Sequence, residues 1–118
     1  MKKLAFIAAL CMATAAGAQQ AGEAPGGVLR VLDKVTGAVT DLKLAAGETA
    51  ALGHLKVTLM ECRFPTSNPS GDAFAKVMVV YRDLAEPVFR GWMIASAPAL
   101  NAMEHPRYDV WALRCITS

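Results

Sequence analysis

Three groups of side chains in this sequence have the types that chemistry needs. Ser96, His105 and Asp109 supply a hydroxyl, an imidazole and a carboxylate in one short segment. Acyl transfer would require a Ser–His contact, a carboxylate orienting the imidazole, and an oxyanion hole. Spacing alone provides none of these, and no Gly-x-Ser-x-Gly elbow is present. Simpler roles suit them better: Ser96 capping a turn, His105 fixing the turn before Pro106, and Asp109 accepting a backbone or arginine hydrogen bond. His54 and His105, with Glu104 or Asp109, could ligate a metal. The chain, however, has no His-x-His, His-x-x-His or Cys-x-x-Cys, and the loop Pro65 to Asp72 lacks calcium-loop spacing. Glu61, Asp72, Glu104 and Asp109 could be paired on paper as glycosidase carboxylates. Glu61, beside Arg63, reads better as half of a surface ion pair. We therefore assign no catalytic residue, no metal and no cofactor.

Aromatic residues give the stronger signal. Phe89, Trp92, Tyr108 and Trp111 gather in the C-terminal part of the chain, where core packing claims most of them. Gly91 beside Trp92 is unusual within a strand and marks a bulge or a close approach. Arg107 and Tyr108 flank a loop, and Trp, Tyr and Arg are the residues that anchor interfaces. A binding groove around Ala95 to Tyr108 is the leading expectation, with Trp92, Ser96, Asn101, His105, Arg107 and Tyr108 as its residues.

Several elements must position these residues. Met1-Lys2-Lys3, the apolar run from Leu4 to Thr14 and the small residues Ala16-Gly17-Ala18 read as a signal peptide over residues 1–18, cleaved before Gln19. The run is too short to span a bilayer, and a lipoprotein reading of Cys11 fails because Leu10 is not small. A periplasmic or secreted location in a bacterium follows, with no membrane span after cleavage. Lys2 and Lys3 account for the formal charge of +2. The rest of the chain is neutral, which argues against nucleic acid as a partner. With 54% hydrophobic and 19% charged residues the chain is not disordered, and its length allows one domain. Cys62 and Cys115 remain after cleavage, an even pair in an oxidising compartment. They read as a disulfide, worth about 4 kcal/mol by chain entropy.

Residues 19–27 are small, polar and rich in Gly and Pro, and read as a flexible lead-in. From residue 28 to 118 short apolar stretches alternate with turns, as in an all-β sandwich or barrel. The strands expected are 28–35, 38–44, 49–52, 55–64, 73–82, 88–94 and 109–115, with 73–82 central because both of its faces are apolar. The stretch 95–107 lacks alternation. It reads as one short helical insertion, capped by Ser96, with Pro98 in its first turn and Leu100 and Met103 on one face. It should pack over an open end of the β-structure. The disulfide makes the strand ending at Cys62 and the last strand neighbours, either side by side or across two sheets.

One series of residues carries a resemblance. Phe89, Gly91-Trp92-Met93, Ala95-Ser96, Pro98-Ala99-Leu100-Asn101, Glu104-His105-Pro106, Tyr108-Asp109-Val110-Trp111 and Cys115 follow upon Leu32-Asp33-Lys34, Thr36-Gly37, Gly53, Leu55, Cys62 and Ala73-Phe74. This pattern, over nearly all of Val28 to Cys115, resembles the domain-of-unknown-function family 2155, small exported alphaproteobacterial proteins. A second serine is usual in that family where this chain has Ala97. The resemblance implies a periplasmic setting and no particular activity. The expected function is a non-catalytic accessory or protein-binding module of the cell envelope, with an envelope protein as partner. The alternative is a small-ligand carrier for lipid or sugar, and a hydrolase using Ser96 and His105 ranks third. Oligomeric state is left open.

Overall fold

The computed structural model describes residues 20–117. Residues 1–18, read above as a signal peptide, and with them Cys11, lie outside the described residues. Eight strands follow in order: β1 (Ala21–Ala24), β2 (Gly26–Asp33), β3 (Val39–Ala45), β4 (Thr49–Leu52), β5 (Leu55–Pro65), β6 (Phe74–Tyr81), β7 (Phe89–Ile94) and β8 (Tyr108–Ile116). They form two antiparallel sheets. In one, β1, β5, β6 and β7 lie side by side, with β4 also on β5; in the other the order is β3-β2-β8. The fold is an all-β sandwich. No helix among the described residues is long and apolar enough to cross a membrane.

Strand alternation places the core. Leu55, Val57, Leu59 and Cys62 of β5, Ala75, Val77 and Val79 of β6, and Met93 of β7 face inward from one sheet. Leu29 and Val31 of β2 and Tyr108, Val110 and Ala112 of β8 meet them from the other. Burying one face per strand is what a period of two residues does. The central position of β6, between β5 and β7, agrees with its doubly apolar sequence.

The lead-in expected over residues 19–27 contains structure. Ala21 to Ala24 pair with Cys62 to Pro65, and Gly26-Gly27 open β2. The glycines there serve close packing. A Cβ on Gly27 would lie 2.9 Å from the Cys62 sulfur, and one on Gly26 would strike the Leu44 carbonyl oxygen. Glycine signals flexibility in sequence, but here it marks backbones in contact.

Cys62 on β5 and Cys115 on β8 form a disulfide with a Cα separation of 5.7 Å. It joins the two sheets across the core and defines a cysteine end of the sandwich. At the opposite end Tyr81 finishes β6 and Tyr108 begins β8, with ring centroids 6.0 Å apart. We call this the tyrosine end. Strands β7 and β8 both run from the tyrosine end to the cysteine end, so residues 95–107 must return along the length of the molecule. They do so beside the outer edge of β7, and this corrects the expectation of an insertion over an open end. Its helical part is a single 3-10 turn, Pro98–Asn101, preceded by Ala97 with no side-chain cap. Ser96 therefore does not cap it. Leu100 is 73% exposed while Met103 is buried at 3%, so the two share no face. A 3-10 turn has three residues per turn and is too short to present an α-helical stripe.

The disulfide closes a loop of 53 positions. Replacing both cysteines, Cys62→Ser with Cys115→Ser, is expected to lower unfolding free energy by about 2–4 kcal/mol. Denaturant titration checks this, and an unchanged midpoint would contradict it.

Candidate functional site

The returning segment is fastened at three places, and the residues expected to bind do the fastening. At the cysteine end the Ser96 hydroxyl donates to Asp72 Oδ2 at 2.7 Å, and the Ser96 backbone N–H donates to Asp72 Oδ1 at 3.0 Å. Ala73 N–H adds a third bond at 2.8 Å. Midway, the Asn101 side-chain amide donates to the Trp92 carbonyl at 2.8 Å. Gly91 lets Asn101 come this close, since a Cβ there would sit 3.1 Å from the Asn101 amide nitrogen. Ala97 N–H also donates to the Ile94 carbonyl. At the tyrosine end Arg107 donates to both carboxylate oxygens of Asp33, at 3.4 and 3.1 Å. His105 Nδ1 accepts from the backbone N–H groups of Arg107 and Tyr108. Lys34 donates to the His105 carbonyl at 2.9 Å.

The candidate triad is not assembled. Ser96 is bound to Asp72 at the cysteine end, whereas His105 and Asp109 lie toward the tyrosine end. Among the described residues no three His, Cys, Asp or Glu side chains gather as metal ligands. Glu61 pairs with Arg63 at 2.9 Å on the sheet surface, as the sequence suggested.

Sequence reasoning missed one gathering. The chain has two histidines and two tyrosines, and all four meet at the tyrosine end. The Tyr81 ring lies 4.5 Å from that of His105 and 6.2 Å from that of His54. Arg82 stacks over Tyr81 at 5.2 Å and Arg107 over Tyr108 at 5.2 Å. Arg82 has φ +56°, the one positive value at a non-glycine residue among those described. These contacts pin Tyr108 and Arg107 where β8 begins. His54, Tyr81 and the pair His105 and Tyr108 come from three separate parts of the chain, so no local spacing announces the full group.

The space left open lies on the other side of the returning segment, along β8. At the tyrosine-end half a cavity of about 360 Å³ is lined by Pro98, Ala99, Ala102, Asp109, Val110 and Trp111. At the cysteine end a larger one, about 820 Å³, lies between Pro69–Asp72, Ala95 and Ser96 on one side and Leu113–Cys115 with Thr117 on the other. Both lie along β8, and we take them together as one groove, walled opposite by small residues; Tyr108, Val110 and Ala112 of β8 are themselves buried. Of the six residues expected to bind, Ser96 alone lines it. Asn101, His105, Arg107 and Tyr108 hold its wall and its end. Trp92 lies on the outer face of the β6–β7 sheet, with Arg63 5.9 Å over its ring. The residues that sequence reasoning did not select are Asp72, Ala99, Trp111 and Arg114. Alternation in β8 gave a sign, since Asp109 and Trp111 stand on the face opposite Val110 and Ala112.

Such an arrangement defines a class: a disulfide-closed β-sandwich with a groove beside one sheet edge. The family model described as "Uncharacterized protein conserved in bacteria", DUF2155, matches residues 27–115, and the chain belongs to that family. It is similar to "Uncharacterized protein RP359" of Rickettsia prowazekii (strain Madrid E), 29% identical over 92 residues, covering 75% of this chain and 59% of that protein. The chain thus spans about three-fifths of that relative's length. No solved structure matches.

Asp72 carries the fastening at the cysteine end, and its titration reports on it. Burial pushes its carboxyl up, but the Ser96 hydroxyl and the two backbone N–H groups outweigh this and hold it below the ordinary 3.8. A depressed folded-state value gives stability that is fully present above pH 3.8 and lost as pH falls through the lowered value. Asp33, held low first by Arg107, acts in the same direction. Asp72→Asn is expected to be less stable than the parent at pH 7 and to lose less on acidification. Thermal melts across the acid range measure this; parallel curves for the two proteins would contradict it.

Proposed function

We propose that this protein is a non-catalytic accessory module of the bacterial cell envelope, exported by its signal segment, that binds another envelope protein. The groove along β8 carries this reading. It is held open by a segment fastened at Asp72, at the Trp92 carbonyl and at Asp33. A wall of fixed geometry beside the part-exposed Asp109 and Trp111 and the exposed Arg114 is a preorganised binding surface. Trp111 and Arg114, residue types enriched at interface hot spots, stand along it. The disulfide suits an oxidising compartment. The space that reaches between the sheets beside Val31, Leu52 and Tyr108 holds about 110 Å³, too little for a ligand carried between the sheets.

A photo-crosslinking residue at position 99, expressed with the export signal, is expected to give one discrete adduct. Trp111→Ala should weaken it by about tenfold or more, the loss of a good anchor. Trp92→Ala, on the outer face of the other sheet, should leave it intact. Equal adducts in all three proteins, or none, would refute the groove.

A further inference from the structure

We infer that β3 is a dimerisation edge: it pairs antiparallel with β3 of a second copy, Asp41 of each facing Lys43 of the other. This lies at the far edge of the sheet from β8 and does not depend on the groove reading above.

The first argument is the direction of the backbone. Asp33 N–H donates to the Ala38 carbonyl at one end of the β2–β3 ladder, and Ala46 N–H donates to the Pro25 carbonyl at the other. Both pairs fit the observed register, in which Arg30 stands opposite Asp41. Hydrogen-bonded pairs alternate along an antiparallel ladder, so Thr40, Leu42 and Leu44 turn their backbone groups to β2. Those of Val39, Asp41, Lys43 and Ala45 point away from the sheet. Glu48 closes the last of these: its side chain takes the Ala45 N–H, and its backbone N–H donates to the Ala45 carbonyl. Among the described residues no strand pairs with β3 on that side. Val39 is 56% exposed, and Asp41 and Lys43 are exposed as well. An uncovered row of donors and acceptors is a template for one more strand.

The second argument is that the other edges are occupied or buried. β4 covers Leu55 to Thr58, and β1 covers Cys62 to Pro65. Asn101 and Ala97 occupy carbonyls on the outer edge of β7. Tyr108, Val110 and Ala112 of β8 are each 2% exposed.

The third argument is charge, and it selects a second copy as the occupant. Arg30 donates to both carboxylate oxygens of Asp41, at 2.7 and 3.0 Å, and holds that side chain on the outer face of the sheet. Each carboxylate oxygen keeps a lone pair for a second cation. Lys43, two residues on and on the same face, takes part in no ion pair among the described residues. Charged edge residues bar indiscriminate strand pairing. Opposite charges two residues apart are nevertheless complementary to themselves on an antiparallel strand. With the two-fold axis between the Leu42 residues of the two copies, Asp41 faces Lys43 in both directions. The outward N–H and C=O groups of these residues then make four hydrogen bonds. A register centred on Asp41 would instead set like charges against each other. The product is one continuous six-stranded sheet, β8-β2-β3 running on into β3-β2-β8.

Sedimentation equilibrium of the disulfide-bonded protein over a concentration series should show a reversible dimer. Asp41→Lys and Lys43→Asp should each weaken it by about tenfold or more, because each sets like charges against each other at both contacts. Mixed in equal amounts, the two variants should dimerise again, since one then carries two basic residues on this edge and the other two acidic ones. That recovery also shows that both variants are folded. Amide exchange at Asp41 and Lys43 should slow as the concentration of the parent protein rises. A parent that stays monomeric throughout, a dimer that survives either variant alone, or a mixture that stays apart would overturn the pairing. So would exchange at these two amides that does not change with concentration.

Discussion

Much of this structure follows from one topological constraint. β7 and β8 belong to different sheets yet run in the same direction, so the chain between them must travel back the full length of the sandwich. The disulfide fixes where that journey starts to matter, because it ties β8 to β5 at the cysteine end. A returning segment of about a dozen residues has no ladder of its own and must satisfy its backbone elsewhere. It does so with Asp72, the Trp92 carbonyl and Asp33. The same bonds occupy the outer carbonyls of β7 at Trp92 and Ile94.

This division explains why the polar residues of the segment are turned to the protein itself. Ser96, Asn101, His105 and Arg107 each spend their hydrogen bonds on the protein. Asp72 and Asp33 answer them from neighbouring turns, and both carboxylates are held below their ordinary range by the groups they receive. Ser96, which with His105 and Asp109 could be written as a triad, is bound instead to Asp72 at the far end of the segment. What remains accessible along β8 is Asp109, Trp111 and Arg114, none of which stands out in the sequence as a motif.

Most of the fold was legible because alternation and turn residues were unambiguous. The strands from 55 to 64, 73 to 82 and 88 to 94 fall within two residues of β5, β6 and β7. The pairing of Cys62 with Cys115 followed from compartment and count. β1 was hidden because Ala-Gly-Glu-Ala has little strand propensity and forms by pairing with a long neighbour. Gly26-Gly27 misled because glycine means looseness or closeness depending on what lies opposite. The site was only half legible. The region from Ala95 to Tyr108 was located, but its role as a wall depends on contacts with Asp33 and Asp72, far away in the chain. The cluster of His54, Tyr81, His105 and Tyr108 depends on three separate segments meeting, and periodicity carries no information about that.

The fastening of the returning segment is the central claim, and amide hydrogen exchange on the free protein tests it most directly. Amides held in hydrogen bonds exchange slowly, and those open to water exchange fast. Ser96, bonded to Asp72, and Arg107 and Tyr108, bonded to His105, should be protected. Exchange at all three positions as fast as in an unfolded chain would contradict the account.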